Sequence, residues 1–260
     1  MMTRSAPKYL LAAALALTLS ACGSSDDTDT SSTADASSSP SVSASATEPE
    51  ASADPADAAA AEAALLRLAD MPVGWESSPR EDDDDDDGSQ DELAACMGGE
   101  GPFTEDPSVA KAESPTFSSS DDDEIESAVR VNRDEETAIA SFEALRTNEF
   151  ADCMRQLVAG LGDDISESGD ESVTVGEPTF NEITLGAHGD ETLAFRVTVP
   201  ASVEGFSFEF ALNATYTRVG RAIAHLTATQ APFGSLSDEQ IVEVLETAAQ
   251  RLADAVAASS

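Results

Sequence analysis

Apolar positions near the end of the chain recur at helical spacing. Ile241, Val244, Leu245, Ala248, Leu252 and Val256 form one stripe, which predicts an amphipathic helix. Ser237, followed three residues on by Gln240, supplies a capping box for its start. Upstream the period changes to two. Phe206, Phe208, Phe210, Leu212, Ala214 and Tyr216 share one side of a segment, and Leu193, Phe195, Val197 and Val199 share one side of another. Such alternation marks half-buried strands. RAIAHLTATQ adds a further strand. The turn before it, Arg218-Val219-Gly220-Arg221, reads as a tight hairpin with Gly220 supplying positive φ. Residues 171–190 give one or two short strands.

The first half of the domain is mixed. Residues 124–132 alternate, with Ile125, Ser127, Val129 and Val131 on one side and Glu126 and Arg130 on the other. Residues 109–119 read as a strand interrupted at Pro115, hence an edge strand or a bulge. Two helices follow from Asp134, whose side chain is placed to cap the first. Ala138, Phe142 and Leu145 line one helix, and Phe150, Cys153, Met154, Leu157 and Leu161 the next, with a break near Thr147–Asn148. DELAACMG predicts a short helix carrying Cys96. Residues 57–70, rich in Ala and Leu, predict a helix stopped by Pro72 and Gly74. Trp75, the only tryptophan, is placed as an anchor at the edge of a core. The order of elements is α+β, with a single antiparallel sheet of about five or six strands flanked by helices.

Charge changes the picture most. The chain carries 51 acids and 13 bases, a net charge of -38. Eight of those acids and two bases lie in the first 60 residues, leaving 43 and 11 for the rest. Affinity for nucleic acid or a bare anionic bilayer comes from Lys and Arg, so both are excluded as partners. EDDDDDDG (residues 81–88) and DDDEIE (residues 121–126) read as solvated loops. An unbroken run of acids lacks the alternate spacing of a preorganised calcium loop. No metal site and no cofactor are expected.

The first 21 residues have a basic start, a short apolar stretch from Tyr9 to Ala21 and small residues at the end, the signature of a secretory signal peptide. That apolar stretch is too short for a mature membrane-spanning helix. Leu19-Ser20-Ala21-Cys22 resembles the bacterial lipobox. The resemblance implies cleavage before Cys22, diacylglycerol on its sulfur and a further acyl chain such as palmitate on its new amino group. Residues 22–60, a run of Ser, Ala, Thr, Pro and acids, then read as a disordered tether. Residues 61–260 are the α+β domain. The expected location is the outer face of the bacterial cytoplasmic membrane, with the Cys22 lipid as the membrane partner. In that oxidising setting Cys96 and Cys153 are expected to form a disulfide.

LLRLADMPVGW, a cysteine soon after, SPTFSS, SFEALRTNEFADCMRQL, GAHGDETLAFRV, TRVGRAIAHLTATQ and a terminal RLADAVA stand in one order. That arrangement resembles a group of actinobacterial secreted lipoproteins related to the PknH-type extracellular sensor domain. The resemblance implies an antiparallel sheet flanked by helices and a cleft for an unknown ligand. The kinase sensors use two disulfides, whereas this chain has cysteines for one, and it carries no kinase domain. The resemblance transfers no catalytic residue.

No GxSxG, HExxH, P-loop or GxGxxG occurs. His188 with Asp190 is the one base-and-carboxylate pair, in what reads as a polar turn; His225 sits on the strand side facing away from the core. The expected function is therefore non-catalytic: a lipid-anchored, sensor-like domain binding a small ligand or an extracytoplasmic protein. The alternative is a lipid or glycolipid carrier whose apolar cavity is lined by Phe206, Phe208 and Phe210.

Overall fold

The computed structural model describes residues 54–80, 89–98, 107–168, 173–203 and 205–259. Cys22, the lipobox, most of the tether and the aspartate run at 81–88 lie outside them. Five helices and nine strands follow in the order α1 (Pro55–Ala64), β1 (Glu76–Ser78), α2 (Ser89–Cys96), β2 (Ser108–Glu113), β3 (Thr116–Ser118), β4 (Glu124–Asn132), α3 (Glu135–Ala144), α4 (Asn148–Ser168), β5 (Val173–Val175), β6 (Thr179–Ile183), β7 (Glu191–Val203), β8 (Phe206–Val219), β9 (Ala222–Gln230) and α5 (Asp238–Ala258). The described strands form one nine-stranded sheet in the order β1-β3-β4-β9-β8-β7-β5, with β2 also on β4 and β6 also on β7. Every pairing is antiparallel.

The α+β class holds, but the sheet exceeds the five or six strands expected. The additional strands are short. β1, β3 and β5 have three residues each, too few for alternation to show in the sequence. The segment around Pro115 is two strands, because both β2 and β3 pair with β4. Pro115 cannot donate to a ladder, so the chain jogs there. Ser114 Oγ accepts from the Ser127 amide and holds the jog. The first helix also differs: it starts at Pro55, ahead of residue 61, and ends at Ala64 rather than near Asp70. Asp54 caps it, and Asp57 on its first turn makes a bidentate ion pair with Arg221. A short 3₁₀ turn then carries Leu68–Asp70.

Register sorts the side chains between two faces. Ile125, Val129 and Val131 on β4 sit beside Ala228, Ala224 and Ala222 on β9. Helices α1 and α5 cover this face. Ile241, Val244, Leu245 and Leu252 of α5 are all fully buried, each worth about 1.5–3 kcal/mol of apolar transfer. The opposite face carries Phe195, Val197 and Val199 of β7 and Tyr216 of β8, packed under Phe142, Phe150, Met154 and Val158 of α3 and α4. Cys96 of α2 is joined to Cys153 of α4, with Cα atoms 5.8 Å apart, so α2 is tied onto that layer.

Asp123 corrects the reading of DDDEIE as a solvated loop. Its side chain is 0% exposed. Its carboxylate accepts from the amides of Ala231, Ser235 and Leu236 at 3.0, 2.8 and 2.8 Å, in the loop that links β9 to α5. A Cβ on Gly234 would lie 1.8 Å from Asp123 Oδ1, so only glycine lets the loop wrap the carboxylate this closely. Asp122, with φ +64°, turns the chain so that its neighbour points inward.

Two stability outcomes follow from these joints. Asp123→Ala leaves three amides without a partner and is expected to destabilise the fold by about 3 kcal/mol or more, read by urea unfolding. Gly234→Ala is expected to destabilise it as well, and unchanged midpoints for both would remove Asp123 from this role. Opening the Cys96–Cys153 loop of 57 residues is expected to lose on the order of 4 kcal/mol by chain entropy. The check is the urea midpoint with and without reductant.

Candidate functional site

The helices cover opposite faces at opposite sides of the sheet, and this leaves a polar strip. On β4 and β9, the face away from α5 carries Glu124, Glu126, Ala128 and Arg130 beside Thr229, Thr227, His225 and Ile223. Among the described helices α3 packs against β4 and β9 here. Most of the strip is half-buried, although its strands are central in the sheet.

His225 stands at its middle. Its ring stacks on Tyr216, the cross-strand neighbour on β8, with centroids 4.5 Å apart and planes 12° apart. Burial, reinforced by the charges of Arg130 and Arg80, pushes the imidazole down to about 3. Burial pushes the Tyr216 phenol up to about 12, against a smaller opposite pull from Arg130. Both rings are therefore neutral near pH 7. The His225 Nε2 and the Thr227 hydroxyl lie 3.4 Å apart. Arg80, just past β1, reaches over the strip to Glu113 and Glu126 at 2.9 Å each. Thr116 donates to the other Glu126 oxygen at 2.5 Å. Arg80 Nε is buried with no acceptor among the described residues. A buried N–H without an acceptor is disfavoured by about 1–3 kcal/mol, so a ligand oxygen placed there would be stabilised.

The strip thus offers a flat stacked pair, hydroxyl and imidazole groups and a guanidinium N–H with no acceptor among the described residues. Groups of this kind are chemically suited to a polar ligand. A neutral histidine with a pKa near 3 is a poor general base at pH 7.

The other singled-out residues stand elsewhere. His188 and Asp190 are not brought together as a pair. The His188 amide donates to Thr192 Oγ1, and its Nε2 lies 3.1 Å from the Leu185 carbonyl oxygen. Asp190 instead accepts from the Gly220 amide and faces Arg218. Trp75 packs at the edge of the core cluster beneath α5. The phenylalanine stripe runs out of the core: Phe210 packs against the α3–α4 layer, whereas Phe206 is 76% exposed. Its outer member therefore lines no enclosed cavity. Nothing local in the sequence marks Tyr216 or Arg80 as functional. The alternation within β8 and within β9 is visible in the chain, but the register that sets Tyr216 beside His225 on one face is not.

His225 makes stability depend on pH. Its folded pKa is depressed from 6.5 to about 3, so the unfolded chain binds the additional proton between those values. The stability is complete above about pH 6.5 and falls as the pH drops toward 3. Burial sets that window first, and the charges of Arg130 and Arg80 widen it; Tyr216 stacks on the ring and Glu126 lies on the same face of β4. His225→Gln is expected to flatten the fall in melting temperature from pH 6.5 to 4 relative to wild type. Parallel curves would count against a buried, neutral histidine.

No protein-family model matches this sequence, and no curated protein matches it. Among solved structures the chain is similar to the extracellular domain of PknH from Mycobacterium tuberculosis. The match has 11% identity and a TM-score of 0.34 and covers 77% of this chain and 96% of that chain, a weak likeness at the level of fold.

Proposed function

We propose that this protein is a non-catalytic, lipid-anchored domain on the outer face of a bacterial cytoplasmic membrane that binds a polar small ligand. The observation that carries the binding role is the half-buried strip around His225 and Tyr216, with the buried Arg80 Nε lacking an acceptor among the described residues. Interior polar groups are ordinarily satisfied, and those that are not are suited to a ligand. Two observations support the location. Leu19-Ser20-Ala21-Cys22 matches a lipobox pattern, and the Cys96–Cys153 bridge suits an oxidising compartment. The non-catalytic reading rests on the lack of any nucleophile–base motif in the sequence and on a histidine that stays neutral.

Anchor and ligand are tested separately. An alkyne analogue of palmitate fed to producing cells is expected to label the wild-type chain and not Cys22→Ser; equal labelling would sink the lipid anchor. For the ligand, the full chain extracted from those cells is examined by native mass spectrometry. A non-covalent adduct is expected on wild type and weakened roughly tenfold, ~1.4 kcal/mol, in His225→Ala. An adduct held equally by both proteins would place the ligand away from the strip.

A further inference from the structure

Two exposed aromatic side chains lie at one tip of the sheet. Phe206, at the start of β8, is 76% exposed, and Phe233, in the loop after β9, is 84% exposed. Phe208 links them into one group: its ring centroid lies 6.2 Å from that of Phe233 and 5.6 Å from that of Phe210. Phe210 roots the group in the core. Large aromatic side chains grouped in water mark a contact surface, because each removes a large apolar area when covered.

Two features say what covers it. The first is charge. The described residues at 199–203, 205–212 and 229–240, which carry the tip, contain Glu209, Asp238 and Glu239 and no Lys or Arg. One of these, Asp238, is shared with Arg196. The tip is thus an apolar group whose described chain neighbours carry acids and no base, on a chain of net charge -38. A second copy would bring the same acids against it, and an anionic bilayer would repel it. The second feature is direction. Asp57, near the start of α1, pairs with Arg221 at the β8–β9 turn, so the chain from the tether joins at that end of the sheet. Phe206 lies at the opposite end of β8, roughly 43 Å away at about 3.3 Å per residue. The aromatic group therefore faces away from the point of attachment.

We infer that the Phe206–Phe208–Phe233 tip is a docking surface for a protein segment with an apolar centre and a basic rim, an amphipathic cationic helix being the simplest such segment. This surface is distinct from the His225 strip and binds independently of it. Apolar contact supplies affinity, and the acids supply orientation and rate.

The test uses the full chain and synthetic peptides. A Leu/Lys amphipathic peptide is titrated against wild type and against the Phe206→Ser/Phe233→Ser double variant, with a Ser/Lys peptide of equal charge as control. Both substituted side chains are exposed, and equal melting temperatures verify the fold. The Leu/Lys peptide is expected to bind wild type at least tenfold more tightly than the variant, while the Ser/Lys peptide binds both alike. Equal binding of the Leu/Lys peptide to both proteins overturns the inference. So does wild-type binding to phosphatidylcholine vesicles that the variant loses, which would make the tip a bilayer contact. A wild-type dimer in sedimentation that the variant loses overturns it too, making the tip a self-association surface.

Discussion

A buried carboxylate holds the last helix in place, and most of one core depends on that helix. Asp123 leaves the turn ahead of β4 and accepts three amides from the loop that follows β9. An ionised acceptor makes each bond stronger than a neutral pair would, and a carboxylate has lone pairs enough for all of them. The loop is thereby fixed just ahead of Ser237, where the capping box starts α5. From that point α5 lies across β8 and β9 and buries the apolar side of β4 and β9. The arrangement connects the first and last parts of the domain through atoms more than a hundred residues apart in the chain.

The second organising feature is the way helices divide the sheet. On one side α1 and α5 cover β4 and β9; on the other, α2, α3 and α4 cover β6, β7 and β8, with the Cys96–Cys153 bridge tying α2 down. Each long strand is apolar on the face its own helices cover. Where cover lapses on β4 and β9, the residues turn polar, and the His225–Tyr216 strip results. The candidate ligand site is thus a consequence of the same layering that makes the core. At the far end of β8 the alternation continues past the last helix, leaving Phe206 in solvent.

Much of this was legible in the chain. The Ser237–Gln240 capping box, the Asp134 cap, the Gly220 turn and the alternation of β4, β7 and β8 are local properties, and local properties survive in a sequence. The three-residue strands were not legible, because three residues cannot show a period and their place is set by the neighbour they pair with. The end of the first helix was misplaced because Leu65, Leu66 and Leu68 favour a helix by propensity. Burial of Leu66 in the α5-side core instead draws the chain out after Ala64. Asp123 was read as solvated because nothing local separates it from Asp121 and Asp122; only the return of the loop at 231–236 does.

By itself the sequence determined the α+β class, the amphipathic helices and their caps, the strongly acidic charge, and the lipobox pattern at Cys22. These follow from composition and short-range periodicity, which do not need the folded chain. The tertiary structure alone decided which carboxylate is interior, which strands meet, that His225 stacks on Tyr216, and that the phenylalanine stripe passes from core to solvent. Those outcomes depend on register and on which helix covers which face. Both are set by contacts between residues far apart in the chain, whose free energy is realised only when the whole domain packs.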